Sequence, residues 1–176
     1  MKKSCILFFC LLLLLTSAAA ASPALPGEKL LMSSSLAESD RPVVSAESSK
    51  YDAESGRYTL RGKVRIQIGT RLITTDYAQI SRTSDRIWTQ GHTRLQDGEL
   101  LFDGDALYMD LAKDTAWFFG RRCGLDRPGL AIHADTLSYA WDDQLAVFDG
   151  HVLYLEDGRE KAADHLEYDL EHERIR

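Results

Sequence analysis

An all-β fold, antiparallel and repeat-built, with the sheet folded into a V-shaped or jellyroll form, is predicted for this chain by three observations. Acidic residues Glu47, Asp76, Asp105, Asp135 and Asp164 recur at intervals of 29, 29, 30 and 29. Fifteen residues after the first four stand Gly62, Gly91, Gly120 and Gly150. Between these landmarks run alternating apolar and polar residues, broken by polar turns such as Thr83-Ser84-Asp85-Arg86 and Asp97-Gly98-Glu99. A repeated unit of this size cannot bury its apolar face alone, so the copies must stack and share one core.

The elements follow in chain order. Residues 1–21 read as a cleaved secretory signal: Lys2 and Lys3 precede an apolar run that ends at Thr16, and Ala18 to Ala21 offer small-residue cleavage sites. The run is shorter than the roughly 20 residues that a spanning helix needs. Losing Lys2 and Lys3 takes the formal charge from −6 to −8, and no long basic run remains, which speaks against nucleic acid as a partner. Cys5 and Cys10 leave with the leader, so Cys123 has no intramolecular partner and reads as a small buried hydrophobe. Residues 22–42, with Pro23, Pro26, Gly27 and Pro42, read as a flexible segment leading into the fold, within which Lys29 to Met32 could form a short helix or an edge strand.

Residues 43–176 form the repeat domain, about four and a half 29-residue units. Short Asp-Gly junctions between alternating runs signal hairpins and therefore antiparallel neighbours. In the first strand of a unit, apolar columns stand three before the acid (Val44, Ile73, Phe102, Ile132) and two and four after it (Leu107 and Leu137; Ile80, Met109 and Tyr139). Odd offsets thus become even offsets at the carboxylate. In a period-two strand this sends half of the side chains to the wrong face unless the backbone bends there. A corner is therefore expected at each acid, and a second bend at each glycine of the following strand. Among the junctions between units, the one around Arg127-Pro128-Gly129 reads as a longer loop. Strands creased in this way and stacked give two facing sheets with an apolar inside. A parallel β-helix is the rival architecture.

The inward columns supply the candidate lining: Val44, Ile66, Ile73, Leu95, Phe102, Leu107, Phe118, Ile132, Leu137 and Phe148. The same alternation serves a filled sandwich and an open groove. Trp88 and Trp117 stand off the apolar parity and are expected to face outward. The five acids are spread along an edge rather than converging, so they are expected to hydrogen-bond bent backbone instead of binding metal. His92, His133, His151, His165 and His172 have no metal-ligand spacing, no nucleophile motif accompanies them and no glycine-rich phosphate loop is present, so neither catalysis nor a cofactor is expected.

The stretches Pro42-Val43-Val44-Ser45-Ala46-Glu47, Tyr58-Thr59-Leu60-Arg61-Gly62-Lys63-Val64-Arg65-Ile66 and Leu72-Ile73-Thr74-Thr75-Asp76-Tyr77-Ala78 resemble the opening of the LptA/OstA-like family, and the phrase returns at Leu130 to Asp135 and Val147 to Val152. The resemblance extends from about Pro42 to the C-terminus. It implies a periplasmic β-jellyroll whose interior holds the acyl chains of lipopolysaccharide (lipid A) and bridges the two membranes. It also implies strand-edge partners, namely LptC-like and LptD-like domains and further copies of the chain joined head to tail. Two other readings are a structural envelope adaptor that binds no lipid, and a polysaccharide-binding β-helix.

Overall fold

The computed structural model describes residues 27–30, 37, 40–156 and 158–176, so the expected signal segment lies outside the described residues. Strands β1 (Glu28–Lys29), β2 (Val43–Ser45), β3 (Ser48–Asp52), β4 (Arg57–Ile68), β5 (Arg71–Ser81) and β6 (Arg86–Asp97) are followed by β7 (Leu100–Asp110), β8 (Thr115–Arg127), β9 (Leu130–Ala140), β10 (Leu145–Glu156), β11 (Arg159–Asp169) and β12 (Arg174–Ile175). They pair in the order β1-β2-β4 and then consecutively to β12, with β3 also on β4. Neighbouring strands are antiparallel throughout, which excludes the β-helix.

Each long strand is creased once. Along β5 the buried positions run Ile73, Thr75 and then Ala78, Ile80, so the inward phase reverses across exposed Asp76 as the column parity predicts. The neighbouring strand accommodates the crease differently: pairing jumps from Gln90↔Ala106 to Thr93↔Gly104, so Gly91 and His92 together oppose Asp105. This two-for-one bulge bends the strand. Gly91 and His92 adopt φ of 81° and 42°, a left-handed pair for which the first position favours glycine. The acid and the glycine are therefore one device rather than two bends. Asp76 of β5 lies over Gly91 of β6, where an added Cβ would fall 2.8 Å from its Oδ2. The fifteen-residue offset is the path round the hairpin between these two facing positions.

The irregular interval of 30 also has a structural origin, different from the expected longer loop. Arg127 pairs with Leu130 across an ordinary two-residue turn at Pro128-Gly129. The additional residue sits in the β8 bulge, where pairing jumps from Ala106↔Phe119 to Asp103↔Gly124. It moves the inward positions of that half-strand to Cys123 and Leu125, both fully buried.

The crease divides the sheet into two walls. The first contains β2, the halves of β5, β7, β9 and β11 before the acid, and the halves of β4, β6, β8 and β10 after the glycine. The second contains β3, β12 and the remaining halves. The two walls pack face to face, as Phe102 of the first wall stacks on Tyr139 (4.3 Å between ring centroids) and Phe118 (5.9 Å) of the second. At the second wall's rim the turns are tied side by side by backbone bonds Arg82 N to Gly56 O, Leu111 N to Asp85 O, Trp141 N to Asp114 O and Leu170 N to Gln144 O. Part of the expected leading segment joins the fold: Glu28 and Lys29 pair with Val44 and Val43, and Leu30 is buried.

Candidate functional site

All ten candidate lining residues point between the walls. Val44, Ile66, Ile73, Leu95, Phe102 and Ile132 belong to the first wall, and Leu107, Phe118, Leu137 and Phe148 to the second. None is more than 4% exposed, and most are at 0%. In this conformation the walls are closed on each other and the interior is packed. Removal of each large apolar side chain from water contributes about 1.5–3 kcal/mol, which holds the two walls together. Thr89, the polar exception in its column, is satisfied inside: its hydroxyl pairs with Thr93 (2.7 Å) and accepts from Leu107 N (3.0 Å), while Thr75 meets Thr93 at 3.1 Å.

Opposite the crease, the rims are held together by a few polar contacts. Tyr139 of the second wall donates its hydroxyl to Asp97 Oδ2 of the first at 2.9 Å, and Asp97 also accepts from Arg71 Nε (3.2 Å) and Thr70 Oγ1 (3.0 Å). Arg71 lies 4.5 Å over the Trp141 ring, whose Nε1 donates to Asp114 Oδ1 at 2.9 Å. Burial, and then Asp97, push the Tyr139 phenol far above its ordinary value, so it remains a donor. A second clasp joins Arg127 of the first wall to Glu173, at the second wall's rim, at 2.5 Å. The fold is thus a book with a glycine spine and a polar fastening along its open edge.

The spine carries charges of both signs. The residue after each glycine is Lys63, His92, Arg121 or His151. Lys63 pairs with Glu47 at 2.8 Å, His92 with Asp76 at 3.4 Å and His151 with Asp135 at 2.7 Å, while Arg121 N donates to Asp105 at 3.1 Å. The expectation that the acids would serve the bent backbone thus applies at Asp105, while three of the others pair with side chains. The acids stand on alternate strands with a bulge between them. This basic column is legible in the sequence only when the residues after the four spine glycines are compared as a set, since no single histidine has a recognisable motif.

Hydrogen bonds to Asp135 and Asp149 raise the pKa of His151 and His165 above the ordinary 6.5. Because the folded value is raised, the stabilisation from these pairs is complete below the unfolded value and is lost as pH rises through the folded one. An NMR titration of the His151 ring should give a midpoint above 6.5 that Asp135→Asn returns towards it. A wild-type midpoint at or below that value would refute the pairing.

Cys123 is buried, and desolvation pushes its thiol up to about 11, which suits a core residue rather than a redox thiol. Among the described residues no group of three or more His, Cys, Asp or Glu side chains is arranged to hold a metal. Trp88 and Trp117 lie on the outer face of the second wall, half-buried, and Trp141 is buried at the rim.

Comparison with known proteins adds a family. The family described as LptA/(LptD N-terminal domain) LPS transport protein matches residues 43–174. Among solved structures, similarity is found to LptH, the LptA homologous periplasmic component of the lipopolysaccharide transport device from Pseudomonas aeruginosa. The identity is 16%, covering 78% of this chain and 84% of that one, with a TM-score of 0.37. No curated protein matches.

Proposed function

The chain belongs to the LptA/LptD N-terminal-domain family of lipopolysaccharide transport proteins, and from that premise we propose that it holds the acyl chains of lipid A between its two walls while bridging the inner and outer membranes. The signal-like start at residues 1–21 supports a periplasmic location. The observation that carries the reading is the construction of the interior: one apolar seam from Val44 to Phe148, hinged on glycines and fastened by a few rim contacts.

Exposing a methylene to water costs about 0.8 kcal/mol, so a multi-acylated lipid needs continuous apolar contact to cross the periplasm. An acyl chain entering at the rim replaces wall-to-wall contacts with wall-to-chain contacts. What must be broken is a small set of hydrogen bonds, each worth about 1 kcal/mol net. Successive columns along the seam are alike, so the lipid meets no single high barrier as it moves.

Assembly with further copies, or with LptC-like and LptD-like partners, is assigned to the sheet ends. Among the described residues, β1 covers β2 in the first wall at one end and nothing pairs with the outer edge of β3 in the second. At the other, β12 covers the second-wall half of β11, and no described strand pairs with the outer edge of residues 159–164 in the first wall. These steps are complementary, so two ends can overlap by β-augmentation in both walls.

One crosslinking experiment tests both assignments. Photoreactive residues at Phe102, Ile132 and Phe148 should capture lipopolysaccharide, and those at exposed Lys63 and Lys113 should not. The same chemistry at Ala162, on the uncovered edge, should give a covalent dimer or a partner adduct, with Arg65 on the inner strand β4 as control. Equal capture by inner and outer positions would reject the groove, and no adduct at Ala162 would reject the edge.

A further inference from the structure

The outer face of the second wall carries an aromatic row that neither the core nor the proposed lipid path uses. Trp88, Tyr108 and Trp117 are direct cross-strand partners on β6, β7 and β8, with ring centroids 5.6 and 5.4 Å apart. All three are partly exposed, and Phe119, one row nearer the crease, is 42% exposed. A cleft of about 640 Å³ opens over the Trp88 and Tyr108 end of this row, bounded also by Arg57, Tyr77, Gln79, Gln90 and Phe119. Arg57 lies 5.7 Å over the Trp88 ring and Arg61 4.9 Å over Tyr77. Neither arginine makes an ion pair among the described residues, and no carboxylate lines the cleft, although the chain as a whole carries −6.

We propose that this face is a binding platform for an anionic saccharide, a short chain of sugar rings bearing phosphate or carboxylate. Rings one strand apart, close to the advance of one pyranose residue in an extended chain, offer successive apolar surfaces to the C–H faces of sugars. The Gln79 and Gln90 side chains supply donors and acceptors for hydroxyls, of which Gln79 already donates to Tyr77 Oη at 2.8 Å. Arg57 and Arg61, each placed over an aromatic ring, present donor forks suited to an oxyanion. With Arg57 at the cleft, Arg61 beside it on Tyr77 and no carboxylate in its lining, a neutral sugar is the poorer ligand and an anionic one the better. The saccharide can be free or part of a glycolipid. The inference goes beyond the lipid reading, because the platform lies on the opposite side of the sheet from the interior.

The test is a titration of the whole chain, followed by tryptophan fluorescence, with the phosphorylated oligosaccharide released from lipopolysaccharide by mild acid. The same oligosaccharide after phosphatase treatment, and intact lipopolysaccharide, form the other arms. The platform predicts saturable quenching by the free phosphorylated sugar, weakened about tenfold or more by Trp88→Ala or Trp117→Ala. Arg57→Gln should weaken the phosphorylated ligand and leave the dephosphorylated one unchanged. Unaltered thermal melting certifies each variant; should a tryptophan variant unfold, Arg57→Gln and Phe119→Ser, both at surface positions, still decide the question. Three results would overturn the proposal: no response to free sugar, binding of intact lipopolysaccharide alone, or loss of self-association in Trp88→Ala without any effect of sugar. Failure here leaves capture at Phe102 untouched, and failure there leaves this platform standing.

Discussion

Gly120→Ala should destabilise the protein by about 3–5 kcal/mol, combining backbone strain with overpacking at the crease. Gly120 has φ of 137°, which alanine rarely adopts, and its new methyl would fall 2.5 Å from the Cβ of Asp105. That neighbour is the root of a side chain on an adjacent strand, so it cannot swing away as a flexible tip could. Gly98→Ala is the matched control, with φ of 60° and nothing within 4 Å, and should show backbone strain alone, about 1–2 kcal/mol. Removing the obstruction with Asp105→Gly should return part of the loss in the double variant, a coupling measurable by urea unfolding. If Gly120→Ala and Gly98→Ala cost the same, acid-over-glycine packing is not what sets the crease.

Phe102→Ala should cost about 3–5 kcal/mol, since it deletes the ring at the centre of the interior. Phe102 is fully buried and stacks between the two walls on Tyr139 and Phe118. Its loss leaves a cavity bounded by elements whose positions are fixed by the crease on one side and by the Tyr139–Asp97 contact on the other, so collapse is limited. Leu155→Ala, at a side chain 49% exposed, should stay within about 0.5 kcal/mol of wild type. A small effect at Phe102 would mean that the walls are loosely associated.

The sequence announced the architecture because its signals are periodic and local. Column parity located each crease, and the candidate lining columns proved to be inward-facing. What stayed hidden depended on register or on contacts distant along the chain. That Asp76 covers Gly91 requires knowing that the two strands face each other with a bulge between them. Leu125 was missed because the residue inserted after Gly120 displaces it by one position from its column. Asp97 stands before Gly98 in a tight turn and read as turn chemistry, yet it holds Tyr139, 42 residues away, across the rim. Whether the walls stand open or shut is an energetic outcome of burying the same residues, and alternation does not encode it.

The proposed lipid path requires that the two walls, closed on each other, part to admit acyl chains while the spine holds. Spin labels at Glu99, in a first-wall turn, and Asp143, in a second-wall turn, read the gap between the rims. A second pair at Lys113 and Asp143 reads the second wall alone. On addition of lipopolysaccharide the first distance should lengthen by at least the width of one acyl chain, with the second unchanged. Bound lipopolysaccharide with the Glu99–Asp143 distance unaltered would place the acyl chains somewhere other than between the walls.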